Sequence, residues 1–418
     1  MRNAYFLTRP QAWISVETIQ LIGMESQRGG FWPRLCSLRC KIGWEIVPFL
    51  LSFLNPTITN LELNLPREGN RLLEPTLSLL THTCHQLQSL TVDADTSDPL
   101  SGAEMGRFIS ASRHTLRHIE IRTFTPPDIF PVLFDLPRLQ NLTLRKPHLP
   151  NQIPPNVLPR FRAINFHGNY GPNLPHFLRE VPTSALTKVK ISYGGIIQLS
   201  TTLDPLLDAS AIINVLCLSP VTALDHSSVT LLCSFTNLTY LSIGCICEEL
   251  GQIGPCSFQP TDENILELGG ALPHIGSLSL APGCRGPRHV TFISLICLSR
   301  MCDKLGDLSI RVDFRSIVGG PDQLNHSDLG GVNSARPPPA TSRLGTLNVG
   351  RSPLPNSPRC EWVVALALVR IFPSIRLLSS YCTEEMRGRW EEVRGDILVC
   401  RKILCITAPG KHLNTCVW

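Results

Sequence analysis

The sequence lacks every common signature of a catalytic or nucleotide-binding site. Its 418 residues contain no G-x-x-x-x-G-K-[ST], no G-x-G-x-x-G after a strand, no H-E-x-x-H and no G-x-S-x-G. Nothing is in place to cradle a phosphate, hold a hydrolytic zinc or present a nucleophilic serine. Twelve histidines are scattered singly, and a lone imidazole is a surface or hydrogen-bonded residue before it is a catalyst. Charged residues are few, at 17%, and almost balanced, with 38 Lys and Arg against 33 Asp and Glu; the resulting +5 does not argue for a nucleic-acid partner. Aromatics make up only 6%, a thin supply for base-stacking platforms. Long apolar runs are missing as well. The nearest, Trp362 to Phe372, is interrupted by Arg370 and falls short of the ~18 residues that span a bilayer. Thr8-Arg9-Pro10 cuts the N-terminal apolar stretch after Leu7, which speaks against a secretory signal. Together these absences point to an intracellular protein, cytoplasmic or nuclear, that is not an enzyme and binds neither membrane nor nucleic acid.

Cysteine is not scarce, but its pattern is. The sixteen cysteines follow no regular spacing and include no pair of C-x-x-C motifs, so neither a disulfide framework nor a zinc site is indicated. Cys36-x3-Cys40 and Cys245-x-Cys247 are the close pairs; both lie in or just after an expected strand, where packing of reduced, buried thiols accounts for them. No metal and no cofactor are therefore expected. Thirty-five prolines concentrate in links such as Leu136-Pro137, Leu158-Pro159 and Leu272-Pro273, the punctuation that a strand-and-turn architecture requires.

What is abundant is one spacing. The pattern L-x-x-L-x-L, with Ile, Val, Phe or Cys replacing some leucines, begins thirteen times, at Leu35, Ile58, Leu87, Leu116, Leu139, Phe161, Leu186, Ile213, Leu238, Ile275, Leu305, Leu344 and Ile375. The mean period is about 28 residues, within the roughly 20–29 of a unit made of one strand and its return segment. Alternation, as in Leu139-Gln140-Asn141-Leu142-Thr143-Leu144, sends the apolar set to one face and the polar set to the other. One unit cannot bury its apolar edge alone, so neighbours must stack. The expected fold is α/β: a leucine-rich-repeat solenoid, with a curved parallel sheet on the concave side and helices and irregular segments on the convex side.

Helical spacing appears between strands at Val47–Leu54, Leu72–Leu80, Ile129–Leu136, Val229–Phe235, Ile265–Leu272, His289–Met301 and Glu361–Phe372. A polar helix is expected over Thr383–Ile397, with Trp390 and Val393 turned inward. The stretches Phe161–Phe177 and Ile191–Ala211 hold too much Gly, Pro and Asn for regular helices. In domain terms, residues 1–29 are a remnant or disordered N-terminal segment, 30–394 an irregular repeat solenoid taken as one elongated domain, 319–343 a flexible insertion, and 395–418 a tail without structural assignment.

In L1-x2-x3-L4-x5-L6-x7 the residues at 3, 5 and 7 face away from the core, because the strand period is two. Down the ladder they form a wall on which His118, Arg122, Arg145, His167, Lys188 and Lys190 gather on the fourth to seventh motifs, with Tyr240 on the ninth. These are the candidate partner-binding residues, and the cations span roughly 15 Å at strand spacing, enough for an acidic peptide segment.

The particular wording of the repeats resembles the F-box-associated leucine-rich-repeat proteins of mushroom-forming fungi. The similar phrases are Trp32-Pro33-Arg34-Leu35-x-x-Leu38-x-Cys40, Val47-Pro48-Phe49-Leu50, Pro137-Arg138-Leu139-x-x-Leu142, and Phe372-Pro373-Ser374-Ile375 ahead of Tyr381-Cys382-Thr383. Coverage runs from Gly30 to Arg394. The resemblance implies a non-catalytic recognition scaffold, the substrate-selecting repeats of a cullin-type ubiquitin ligase adaptor, with ligase subunits as partners where an F-box precedes. Residues 1–29 are too short for a three-helix F-box and lack its leucine-proline opening. The Asn or Cys that many such repeats place after the third Leu is not regular here, and unit lengths vary from 22 to 39 residues. The alternative reading is a truncated or orphan repeat protein without an effector module, with an enzyme a distant third.

Overall fold

The computed structural model describes residues 3–6, 35–41, 54, 56–65, 70–94, 102–122, 125, 127–145, 147, 149, 161–168, 173–192, 197–245, 247, 256, 258–286, 290–317, 343–356, 360–380 and 384–407. The insertion expected at 319–343 lies outside them except for residue 343, as does all but residue 54 of the helical stretch expected at 47–54. The chain forms two compact units, Met1–Gly195 and Ile196–Trp418.

The first unit is built on eight strands: β1 (Asn3–Phe6), β2 (Ser37–Lys41), β3 (Asn60–Leu65), β4 (Ser89–Ala94), β5 (His118–Ile121), β6 (Asn141–Arg145), β7 (Ala163–His167) and β8 (Lys188–Ser192). They pair in chain order, each parallel to the next. Seven of them begin at the third position of a repeat motif. The register keeps motif against motif: Leu38 faces Leu61, Leu61 faces Leu90, and Leu90 faces Ile119. Inward leucines therefore run as unbroken rows, and the first, fourth and sixth positions from Ile58 to Ile191 are at most 2% exposed. Each such side chain contributes about 1.5–3 kcal/mol on burial, which offsets the entropy of ordering the coil that carries it. The strands are also tied where each begins. The Cys36 carbonyl accepts from the Thr59 and Asn60 amides at 2.9 and 3.0 Å, and the Thr59 carbonyl does the same for Gln88 and Ser89. Each coil thus satisfies the backbone of its neighbour rather than its own. β1 carries no repeat motif and extends the pairing one strand ahead of the first repeat, Asn3 facing Ser37.

The return segments hold α1 (Asn70–Thr83), α2 (Gly102–Ala111), α3 (Phe130–Phe134) and α4 (Leu174–Glu180). The last two are short, as proline and glycine in these links dictate. Large aromatic side chains fill the space that short helices leave. Phe130 meets Phe134 at 5.7 Å between ring centroids, Phe134 meets Phe177 at 6.2 Å, and Phe177 meets Phe166 edge-on at 5.3 Å. The row joins the return segments after β5 and β7 to the inward face of β7.

The second unit carries β9 (Val215–Val221), β10 (Tyr240–Cys245), β11 (Ser277–Leu280), β12 (Asp307–Ile310), β13 (Thr346–Asn348) and β14 (Leu377–Ser379), again parallel and in chain order. All thirteen motif strands are thus present across the two units. Its helices are α5 (Leu199–Leu203), α6 (His226–Cys233), α7 (Asp262–Ala271), α8 (Phe292–Met301), α9 (Cys360–Ile371) and α10 (Glu384–Thr407). α7 starts on a capping box: the Thr261 hydroxyl accepts from the Asn264 amide and the Asn264 side chain accepts from the Thr261 amide. The next residue, Asp262, reaches the following coil, where its carboxylate accepts from the Thr291 amide and hydroxyl, both at 2.8 Å, and from the Ser294 hydroxyl. Trp390 and Val393 turn inward as their spacing predicts, and the Trp390 ring meets Phe314 edge-on at 5.3 Å. α10 does not stop at Ile397, where the sequence places its end, but continues to Thr407. Both units have the architecture of a leucine-rich-repeat solenoid, one parallel strand and one return segment per coil.

Candidate functional site

Strand register converts the outward motif positions into rows. One row reads Ser89, His118, Asn141, Ala163 and Lys188; the next reads Thr91, Glu120, Thr143, Asn165 and Lys190; a third carries Arg145, His167 and Ser192. Strands about 4.8 Å apart place β6 and β8 roughly 10 Å from each other, and two residues along one strand add about 6.6 Å. Arg145, Lys188 and Lys190 therefore occupy a patch of roughly 10 by 13 Å on one outward face.

The charges on this face divide into two regions. From β2 to β5 they cancel locally. Arg122 Nε lies 2.8 Å from Glu120, and its Nη1 lies 3.7 Å from Asp93 and 4.0 Å from Glu62, while Arg39 Nε meets Glu62 at 3.1 Å. Two guanidinium groups share three carboxylates, so the charge of Arg122 is more than compensated and it adds no positive field of its own. From β6 to β8 the balance fails: among the described residues no ion pair is made by Arg145 or Lys188. Positive charge is thus left over at β6–β8, on part of the patch that the motif columns predict.

Neither histidine of the patch adds charge near neutral pH. Burial lowers the pKa of His118, with Glu120 pulling weakly the other way. For His167 burial again comes first, then repulsion by Arg145 and Lys190, which Glu120 offsets only in part. His167 Nδ1 also shares a 2.5 Å hydrogen bond with the Ser192 hydroxyl on the neighbouring strand. Both imidazoles therefore act as neutral hydrogen-bonding groups among the cations.

Tyr240 is exposed at the start of β10, in the second unit, whereas the six other candidate residues all belong to the first. Its strand neighbours are Val215 and Ser277, and it is not one of the residues that the ladder gathers at β5–β8. A different set comes together that spacing did not single out: Cys245, Cys247, Cys256 and Cys284 are all buried and converge at one place in the second unit. The C-x-C pair was visible in the sequence. Its partners, nine and thirty-seven residues beyond Cys247, were not, because no fixed interval joins one return segment to the next. Among the described residues no helix is long and apolar enough to cross a membrane.

No protein-family model matches the chain, and neither does any curated protein. Among solved structures it is similar to the leucine-rich-repeat-containing protein LegL7 from Legionella pneumophila, at 12% identity and a TM-score of 0.34, over 94% of this chain and 98% of that one. Similarity this distant adds nothing to what the strand register already establishes.

Proposed function

We propose that the chain is a non-catalytic scaffold for protein recognition, and that the outward face of β6–β8 takes an acidic segment of another protein. The observation that carries this reading is the charge at Arg145 and Lys188, for which the described residues supply no ion pair, beside a region where Arg39 and Arg122 are met by Glu62, Asp93 and Glu120. An extended peptide with two or three carboxylates or phosphates spans a patch of this size, and such charge pairs contribute rate and specificity. His167 and Asn165 on β7 offer hydrogen-bonding groups between the cations, and His118 stands beside them on β5.

Affinity purification with mass spectrometry identifies the partner, and calorimetry at several salt concentrations then measures it. Changing Lys188 and Lys190 together to Glu is expected to weaken binding at least tenfold and to flatten its salt dependence, since exposed charges act over about one Debye length. Unchanged affinity in that double variant would assign the patch to solubility alone. A narrower form of the proposal makes the repeats the substrate-selecting part of a cullin-type ubiquitin ligase; it rests on the wording of the repeats, and recovery of ligase subunits in the same purification is its test.

A further inference from the structure

Four thiols meet in the second unit. Cys245 ends β10, Cys247 follows two residues later, Cys256 stands ahead of α7, and Cys284 lies in the loop after β11. Their Sγ atoms all lie within 4.8 Å of one another. Cys247 Sγ is 3.3 Å from Cys245 Sγ and 3.6 Å from Cys284 Sγ. A disulfide requires about 2.05 Å, and all four are free. Packing does not require such a meeting. Cys84 and Cys302, equally buried, sit apart from other thiols, with the Cys302 thiol directed at the Gly269 carbonyl.

The distances fit one chemistry well. A tetrahedral zinc–thiolate centre with bonds of about 2.3 Å separates its sulfurs by about 3.8 Å, between the shortest approach here and the 4.8 Å ceiling. A cluster of several irons holds its cysteines on different metal atoms and spreads the sulfurs more widely. Hard cations such as calcium and magnesium require oxygen ligands, which this set lacks. The surroundings are also those of a thiolate site. The Arg285 amide donates to Cys247 Sγ at 3.2 Å and the Gly286 amide to Cys284 Sγ at 3.4 Å, outer contacts that orient and stabilise ligand sulfur. Arg311 donates to the carbonyls of Cys284 and Gly286 at 2.5 and 2.7 Å. It fixes the loop and brings a positive charge towards a centre that, with four thiolates and a divalent ion, is doubly negative. Gly286 packs so closely that a Cβ there would stand 2.9 Å from the Cys256 carbonyl and 3.5 Å from Cys284 Sγ.

We infer that Cys245, Cys247, Cys256 and Cys284 bind one zinc ion as a closed, structural tetrathiolate site that staples the segment after β10 to the loop after β11. Each Zn–S bond forms as a thiol proton leaves to water, so loading releases the protons that the four thiols still hold. With four protein ligands the ion keeps no open position, and the role is architectural.

The test uses the full chain purified under reducing conditions. Elemental analysis is expected to give one zinc per chain, and exchange with cobalt(II) is expected to give sulfur-to-cobalt charge transfer and the intense visible bands of a tetrahedral thiolate site. Cys284→Ser should lose the metal while Cys233→Ser, which is not one of the four, keeps it. If Cys284→Ser does not fold, cobalt titration of the unaltered chain, competed by zinc, still decides. Absence of both zinc and cobalt–thiolate bands in the reduced chain would overturn the assignment. So would one iron per chain in place of zinc, or an intact mass two hydrogens short that reveals a disulfide among these four.

Discussion

At the scale of single residues, what a charged side chain does on the ladder is set by its neighbours on the next strands. Arg122 and Lys188 occupy comparable outward positions, yet three carboxylates converge on the first and none of the described residues pairs with the second. Replacing Arg122 with Gln leaves Glu62, Asp93 and Glu120 facing one another. Its side chain is 40% exposed, so solvent screens the loss, and the expected cost is about 1 kcal/mol, read as a shift in the denaturant midpoint that shrinks in high salt. His167 permits a sharper measurement. Its folded pKa lies below the ordinary 6.5, by burial first and then by Arg145 and Lys190. The unfolded chain therefore takes up this proton first as pH falls. The stability linked to His167 is whole above pH 6.5, is lost on acidification from there down to the folded pKa, and is level below it. NMR titration of the imidazole should show the depressed value, and Lys190→Gln should raise it while burial still holds it under 6.5. A His167 that titrates at or above 6.5 would contradict the placement of those cations.

At the scale of elements, α10 shows a helix outlasting its local signals. Gly388 and Gly395 each weaken a helix interior, and the pattern alone ends the element at Ile397. The helix persists because Trp390, Val393, Ile397 and Cys400 are buried at intervals of three and four residues, one stripe that pays for the glycines through packing against the unit. Arg389 adds a 2.7 Å ion pair to Glu361 on α9, and the Trp390 indole donates to the Ser352 carbonyl at 3.1 Å. Nothing lies within 4 Å of a Cβ placed on Gly395, so Gly395→Ala should stabilise the second unit by about 0.5–1 kcal/mol, seen in thermal or chemical unfolding; a lower midpoint would mean that the glycine answers a need other than the helix. The thirteen strands were legible for a related reason. Three inward positions per motif repeat in every coil, and tertiary structure preserves that alternation. β1, four residues without a motif, left no such trace, and neither did the cysteine cluster, whose members lie on different connections. The outward columns were readable residue by residue, but which side chains lean together, as Arg122 and Asp93 do, depends on register that only the paired strands reveal.

At the scale of the molecule, a stacked-coil chain distributes its stability by adjacency, since each coil buries its apolar edge against the next and against little else. A defect in one coil should then be felt by its neighbours and fade along the stack. The phenylalanine row of the first unit offers the test. Phe177 is fully buried and touches Phe134 on the return segment after β5 and Phe166 on β7, so Phe177→Ala empties a site shared by two return segments and a strand. A cavity of that size costs about 3–5 kcal/mol, comparable with the whole stability of many domains. In a globule with one core the loss would lower protection everywhere at once. Here amide hydrogen exchange should show β6, β7 and β8 opening while β2, β3 and β4 of the same unit keep most of their protection. Equal loss in both groups of strands would mean that the unit unfolds as one block, and stability by neighbouring coils would have to be given up as its organising rule.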